Sequence, residues 1–237
     1  MNYICIDGNN LTLIAYAAAN RSLDGTPLED KLYTILTSMI RNLKKKFEGE
    51  FYVCWDTYGG THSRRALDSN YKATRDHSKF DFQAVESCKC VYEDYGIKSL
   101  SIPKCEGDDA LFVLCQLLKE NNPQGRITVV SRDKDLIQIV QEGYANEIYD
   151  PCKKKALEIP WYKITEYKAL VGDSSDNISG VKGIGPKAAL KIISGLQQLN
   201  EAQKEQYEHC LNLVDAKRNP SYITNYEYTK EYLRTTN

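Results

Sequence analysis

Short apolar runs alternate with stretches in which apolar residues recur every three to four positions. YICID at Tyr3–Asp7 is continuous and apolar, the pattern of a buried strand, and the Gly-Asn-Asn after it reads as a turn with Asp7 at the strand's carboxyl end. Between Leu28 and Phe47 the positions Leu32, Ile35, Leu36, Met39, Ile40 and Leu43 keep helical spacing. Lys44, Lys45 and Lys46 close that segment, as suits a helix C-terminus. EFYVCWD reads as a second strand ending at Asp56, Ser99–Pro103 as a shorter extended run, and EGDDALFVLCQLLKENN as a helix with an acidic first turn. RITVVSRDKDLIQIV repeats strand, polar turn and helix. Such alternation predicts an α/β fold, a mostly parallel central sheet flanked by helices, whose chemistry collects beyond the carboxyl ends of the strands. Asp7, Asp56 and Asp133 all fall there.

Two segments break the pattern. Residues 57–98 are polar and basic with scattered aromatics (Tyr58, Tyr71, Phe80, Phe82, Tyr92), too long for a plain loop in a compact domain. From about residue 171 no clear strand remains. GVKGIGPKAALKII reads as a glycine-rich turn entering a helix, with Pro186 tolerated in its first turn, and Glu201–Val214 as another helix. The expected division is a core at 1–170 and a helical region at 171–237.

Composition narrows the class. At 237 residues, with 42% hydrophobic and 27% charged positions, the chain can bury a core without covalent staples. The eight cysteines fit small core residues better than a disulfide framework, since Cys5, Cys54 and Cys115 lie in apolar runs. No opening signal segment and no apolar stretch near ~18 residues is present, so a reduced, cytoplasmic protein without membrane contact is expected. The net charge of −1 conceals segregation: His62–Lys79 holds five bases against two acids, and Asn177–Asn200 holds Lys182, Lys187 and Lys191 with no acid.

The acids gather elsewhere: Asp7, Asp56, Glu106, Asp108, Asp109, Asp133, Asp135, Asp173 and Asp176. Asp133 and Asp135 share a side in an extended segment, and Asp173 and Asp176 are neighbours on a helical turn. Any one of them suits a cap or turn. Nine converging carboxylates, however, repel strongly unless cations neutralise them. Oxygen donors with no histidine or cysteine at ligand spacing indicate Mg²⁺, with Mn²⁺ able to substitute. Two such ions about 3.5–4 Å apart are the usual device for phosphodiester hydrolysis.

IDGNN, WD, YKATR, EGDDA, SRDKDL and GDSSDNISGVKGIGPKAA occur in an order and spacing that resembles the 5′-nuclease (flap endonuclease) family, including stand-alone phage enzymes and the 5′-nuclease domain of bacterial DNA polymerase I. The resemblance fades after about residue 200. It implies a PIN-like core, a helical arch at about 57–98, and a helix–three-turn–helix element in the C-terminal region. It also implies that Glu106, Asp108, Asp109 and Asp56 serve a first Mg²⁺ ion, that Asp133, Asp135, Asp173 and Asp176 serve a second, and that Asp7 lies between. Lys72 and Arg75 would contact the scissile phosphate and share catalysis with Asp108 and Asp109, while Tyr71 stacks on a base. Arg64 would steer the DNA backbone. Gly183, Gly185, Lys187 and Lys191 would grip duplex DNA, with a K⁺ ion on the turn carbonyls. The implied activity is a two-metal 5′-3′ exonuclease and flap endonuclease, monomeric, acting on DNA with 5′ ends, flaps or branches.

The rivals are a PIN-type or RNase H-like ribonuclease, for which GVKGIGPK has no purpose, and a non-catalytic branched-DNA-binding protein, which would lack carboxylates. A phosphatase built on Asp7 would need a D-x-D nucleophile pattern that IDGNN does not supply.

Overall fold

In the computed structural model, which describes residues 1–21, 25–75 and 82–236, the strands are β1 (Tyr3–Asp7), β2 (Glu50–Cys54), β3 (Lys98–Leu100), β4 (Ile127–Val130), β5 (Glu147–Asp150) and β6 (Lys155–Ala156). They form one sheet in the order β3-β2-β1-β4-β5-β6, parallel except for the antiparallel edge pair β5–β6. Strand direction places the ends of β1, β2 and β4 side by side, which is why Asp7, Asp56 and Ser131–Asp135 meet on one rim.

The helices are α1 (Gly8–Ala19), α2 (Leu28–Lys46), α3 (His62–Leu67), α4 (Phe82–Ser87), α5 (Lys89–Asp94), α6 (Gly107–Asn121), α7 (Ile137–Gln141), α8 (Ile164–Val171), α9 (Pro186–Ile193), α10 (Glu201–Val214) and α11 (Tyr222–Thr236). Alternate strand residues feed two cores. Ile4, Ile6, Phe51 and Val53 pack with α1, α2 and α5, whereas Cys5, Tyr52, Cys54 and Val129 pack with α6 and the residues around α11. α6 is buried along almost its whole length because it is sandwiched between the sheet and α11. All eight cysteines are free thiols and six of them are buried.

Two local readings differ from the sequence pattern. The Gly-Asn-Asn after β1 is not a free turn: α1 starts at Gly8, with Asp7 as its N-cap accepting from the Asn10 amide at 3.0 Å. A Cβ on Gly8 would lie 2.7 Å from Trp55, so only glycine lets α1 leave β1 this closely. YKATR is not helical; residues 71–74 form turns, and Lys72 sits at φ 53°. The tyrosine-rich tail packs on the core as its composition suggests, with Tyr222, Tyr226 and Tyr232 against the cluster that α6 fills. The 76–81 part of the expected arch lies outside the described residues.

Residues 172–180 form a loop pinched at its base. Asp173 and Ile178 pair as an isolated antiparallel bridge, and Gly172 backs onto Gly180. Gly180 has φ +69°, and a Cβ there would sit 2.4 Å from the Gly172 nitrogen. Gly180→Ala is therefore expected to cost ~2 kcal/mol or more, from a left-handed backbone plus a contact with main chain that cannot swing aside. Thermal unfolding should show a Tm at least ~4 °C lower; a change within ~1 °C would mean that the loop is not closed this way.

Candidate metal and nucleic-acid site

The rim is assembled by short polar ties. The two asparagines of IDGNN each accept from a neighbouring strand end: Asn9 Oδ1 from the Asp56 amide at 2.8 Å and Asn10 Oδ1 from the Arg132 amide at 3.1 Å. Ser131 donates to Asp7 Oδ2 at 2.9 Å and accepts from the Asp133 amide at 3.0 Å, so one hydroxyl links β1 to the SRDKD turn. Asp56 Oδ1 accepts from the Gly107 amide at 2.6 Å, joining the end of β2 to the start of α6. A Cβ on Gly107 would lie 3.1 Å from that same oxygen, so glycine gives Asp56 room to seat closely.

Eight of the nine sequence-predicted acids fall into two adjoining groups. Asp7, Asp56, Glu106, Asp108 and Asp133 form the first. Burial, the Asp56 and Asp133 charges and incomplete compensation push Asp7 up to about 7. Asp108 is raised well above the usual carboxylate range by burial and by Asp133 and Asp7. Asp135, Asp173 and Asp176 form the second, with one oxygen of each within 4.8 Å of the others. Burial and Asp133 raise Asp135 to about 6, whereas Asp173, despite its burial, is held down to about 2 by Lys168 and Ser175.

Protein cations sit among these acids. Lys72 Nζ is 2.5 Å from Glu106 Oε1 and 3.8 Å from Asp176, at the junction of the two groups. Arg75 reaches Asp176 at 2.7 Å, and Lys168 bridges Asp135 and Asp173. The Lys72 amide also donates to the Asp176 carbonyl at 2.9 Å, which folds YKATR against the DSSDN loop. An all-oxygen donor set, Asp7, Asp108 and Asp135 pushed towards neutrality by burial and by neighbouring acids, and cations drawn into the gaps together fit divalent metal binding.

The structure departs from expectation at three residues. Asp109 does not join either group: Arg64 takes both of its oxygens at 2.6 and 2.7 Å, and Asn219 donates to Oδ2 at 2.7 Å. Arg64 is itself buried, at 5% exposure, and is bonded to Glu106 and to the Leu213 carbonyl as well, so it presents no face to a DNA backbone. Tyr71 is 3% exposed, packed among Ala169, Ile178, Leu211 and Leu213, with its hydroxyl 3.2 Å from Glu106; it offers no ring face for a base in this conformation. The common cause is that residues 62–75 fold down onto the acids instead of arching away.

Ser131, Lys168 and Asn219 were missed by sequence reasoning. Lys168 carries a usable signal, lying one helical turn and one residue before Asp173 in the helix that leads into the acidic loop. Ser131 and Asn219 carry none, since single polar residues at strand ends and turns are ordinary.

The second element is exposed. Gly183 has φ +81°, Gly185 is the N-cap of α9, Pro186 opens the helix, and Lys187 and Lys191 face solvent one turn apart. The Lys182 amide and carbonyl are held by Gln206 and Gln203 of α10, at 3.0 and 3.4 Å, so the turn rests on a rigid support. Among the described residues, no helix is long and apolar enough to cross a membrane.

Two family models match the chain. Residues 2–172 match the family model of the 5′-3′ exonuclease N-terminal resolvase-like domain, and residues 159–228 that of the 5′-3′ exonuclease C-terminal SAM fold. A 5′-3′ exonuclease of Mycoplasma pneumoniae is 29% identical over 217 residues, covering 81% of this chain and 71% of that protein. The thermostable DNA polymerase I of Thermus thermophilus is 29% identical over 201 residues, which is 80% of this chain but 23% of the polymerase. In fold, the chain is similar to a bacteriophage T5 protein co-crystallised with metal ions, with a TM-score of 0.74, 19% identity and full coverage of both chains. It is also similar to a T5 flap endonuclease in a complex with DNA and metal ions, with a TM-score of 0.72, 20% identity, and coverage of 99% of this chain and 98% of that one. With both of its parts matched, the acid-bearing sheet by one model and the glycine-turn helices by the other, the chain belongs to the 5′-3′ exonuclease family.

Proposed function

We propose that this protein is a Mg²⁺-dependent 5′-nuclease that hydrolyses DNA phosphodiesters at 5′ ends, flaps or branches, leaving a 5′-phosphate and a 3′-hydroxyl. The observation that carries the reading is the pair of adjoining carboxylate groups on the sheet rim with Lys72 and Arg75 at their junction. Asp7, Asp56, Glu106, Asp108 and Asp133 on one side and Asp135, Asp173 and Asp176 on the other would hold divalent ions, which when bound would supply positive charge to a phosphate and acidify water. The protein does the rest. Asn9, Asn10 and Ser131 fix the strand ends so that the carboxylates are preorganised. Lys72 and Arg75 supply fixed positive charge where a phosphate meets the acids, and this charge counts most as the transition state gains negative charge. Lys168 neutralises the Asp135–Asp173 pair from the protein side. The turn at Gly183 and Gly185, with Lys187 and Lys191, grips duplex backbone at a distance from the acids, with K⁺ at the turn carbonyls as part of the same reading. The division at about residue 170, a monomeric enzyme, and Mn²⁺ as a substitute ion also belong to it.

The direct test is a 5′-labelled flap duplex incubated with Mg²⁺ or with EDTA, with mapping of both product ends. Cleavage that persists in EDTA, or the absence of any cut with Mg²⁺, would sink the reading. Cleavage of an RNA strand in preference to DNA would favour the ribonuclease alternative.

The grip is tested separately. Replacing Lys187 and Lys191 with alanine should weaken duplex binding alike for all sequences and flatten the plot of log affinity against log salt by nearly two units, ~0.9 for each phosphate no longer neutralised. The measurement is a salt titration in Ca²⁺, and single-turnover cleavage at saturating enzyme should survive. An unchanged slope would reduce GVKGIGPK to a structural turn.

A further inference from the structure

The buried cluster at Arg64 has a function that the reaction does not require of it directly. Its guanidinium donates from Nε to the Leu213 carbonyl at 2.9 Å, from one terminal nitrogen to Glu106 and Asp109 at 2.6 Å each, and from the other to Asp109 at 2.7 Å. Asn219 completes the cluster with its 2.7 Å bond to Asp109. All four side chains are buried, between 3% and 5% exposed. The Asn219 amide has one usable orientation, because its Oδ1 accepts from the Ser221 amide at 2.9 Å and leaves only the NH₂ for Asp109. A second tether runs in parallel. Gln138 Oε1 accepts from the Ala216 amide at 3.0 Å, while its NH₂ donates to the carbonyl of Asp135 at 3.0 Å. One short segment, residues 213–219, is thus tied to Glu106 of the first carboxylate group and to Asp135 of the second.

We propose that Asn219 is a positioning residue of the carboxylate centre, acting through Asp109 and Arg64 on Glu106, so that the 213–219 segment is part of the metal site although none of its side chains belongs to either carboxylate group. The physical reason is orientation. Arg64 carries a single charge shared between two acids, and where the guanidinium settles helps to set Glu106 Oε2, while Lys72 holds Oε1. Asn219 supplies a further donor to Asp109 Oδ2, the oxygen that also accepts from the Arg64 nitrogen shared with Glu106, and this holds the Asp109 plane and with it the guanidinium in place. Without that donor the plane of Asp109 can rotate, Arg64 follows it, and Glu106 is drawn away from its group. Supporting groups of this kind commonly carry 10–100-fold of a site's metal affinity.

This inference rests on the metal-site reading above, and its test is read without catalysis: Mn²⁺ binding to the full chain, followed by electron paramagnetic resonance of the free ion. Asn219→Ala should weaken the tighter Mn²⁺ site ~10-fold. Asn219→Asp, which sets a carboxylate against Asp109, should weaken it further, and combining it with Asp109→Asn should recover part of the loss by restoring a donor–acceptor pair. Tyr226→Phe is the control. It removes a bond from α11 to Glu120 and lies outside the cluster, so it should leave Mn²⁺ affinity unchanged. Should Asn219→Ala fail to fold, Asn219→Ser keeps a cap for the Ser221 amide, forfeits the reach to Asp109, and should show the same ~10-fold loss. Parent-like Mn²⁺ affinity in the folded Ala or Ser variant, with only a lower Tm, would overturn the proposal and leave Asn219 as a structural turn residue. A parent that binds Mn²⁺ yet cleaves no DNA overturns the nuclease reading while the relay measurement stands; a parent that binds no Mn²⁺ overturns both.

Discussion

Asp108→Asn should abolish cleavage in Mg²⁺ and, in the same protein, raise the melting temperature measured in EDTA. The first effect follows from its position: Asp108 faces Asp133, Asp7 and Asp56, and an amide there keeps the shape while removing a charge that a metal needs. A loss of ~100-fold or more in the single-turnover rate is expected, with duplex binding in Ca²⁺ retained through the glycine turn. The second effect follows from carboxyls buried at the rim, with repulsion between them adding to the cost of their charge. Without metal, the folded state holds Asp7 at about 7 and Asp135 at about 6, whereas in an unfolded chain both titrate near 3.8. A carboxyl whose folded pKa is raised binds its proton more tightly when folded. Its contribution is therefore intact below pH 3.8 and is lost as pH rises towards its folded value. The metal-free protein should accordingly lose stability between about pH 4 and pH 7, and Mg²⁺ should raise the Tm more at about pH 8 than at about pH 5. Neutralising Asp108 removes one of the repelling charges, and a gain of ~1 kcal/mol would appear as ~2–4 °C at about pH 8 in EDTA. Cleavage within tenfold of the parent, or a Tm in EDTA that falls instead of rising, would show that Asp108 belongs to the fold and not to a metal.

How much of this was legible in the sequence depends on the range of the interaction that sets each feature. Parallel strands follow from the alternation of strands and helices, so Asp7, Asp56 and Asp133 could be placed on one rim from the sequence, although the strand order could not. α2, with its long one-sided apolar repeat, and α6, with an acidic first turn and an apolar body too long for a strand, were also readable. α1 was not, because Gly8-Asn9-Asn10 has the composition of a turn. Only the N-cap bond from Asn10 to Asp7 and the closeness of Gly8 to Trp55 turn it into a helix start. Asp109 shows the limit most clearly. It is adjacent to Asp108 in an acidic run, and the family resemblance implied a shared ion. On a helix, though, successive residues point about 100° apart, so Asp108 faces the rim while Asp109 faces Arg64 and the C-terminal segment. No local pattern announces a partner 45 residues upstream and another 110 residues downstream. Arg64 was misplaced by the same logic. A base in a basic stretch reads as solvent-facing, and only the fold reveals that it is neutralised from within.

Lys72→Ala tests whether the fold-down of the basic segment is part of the chemistry or only a means of balancing charge. Its ammonium lies against Glu106 and within reach of Asp176, so its neighbours on both sides are acids assigned to metal. Burial alone would favour the neutral amine, but Glu106 and the surrounding acids hold Lys72 above the ordinary lysine range, so it stays charged at every pH at which the enzyme works. A fixed cation at that junction is worth most when a phosphate gains charge. Its removal should lower the single-turnover rate at saturating enzyme by ~100-fold or more, the scale of losing one preorganised electrostatic group. Duplex affinity in Ca²⁺ should change little, because Lys187 and Lys191 carry the grip. Lys72→Arg separates charge from shape. It keeps the charge but brings a larger, planar guanidinium into a buried pocket that seats an ammonium, so it should recover only part of the rate. If Lys72→Ala instead lowers affinity while the rate at saturation holds, the lysine serves to attract DNA, and the transition-state charge must be met by Arg75 and the metals alone.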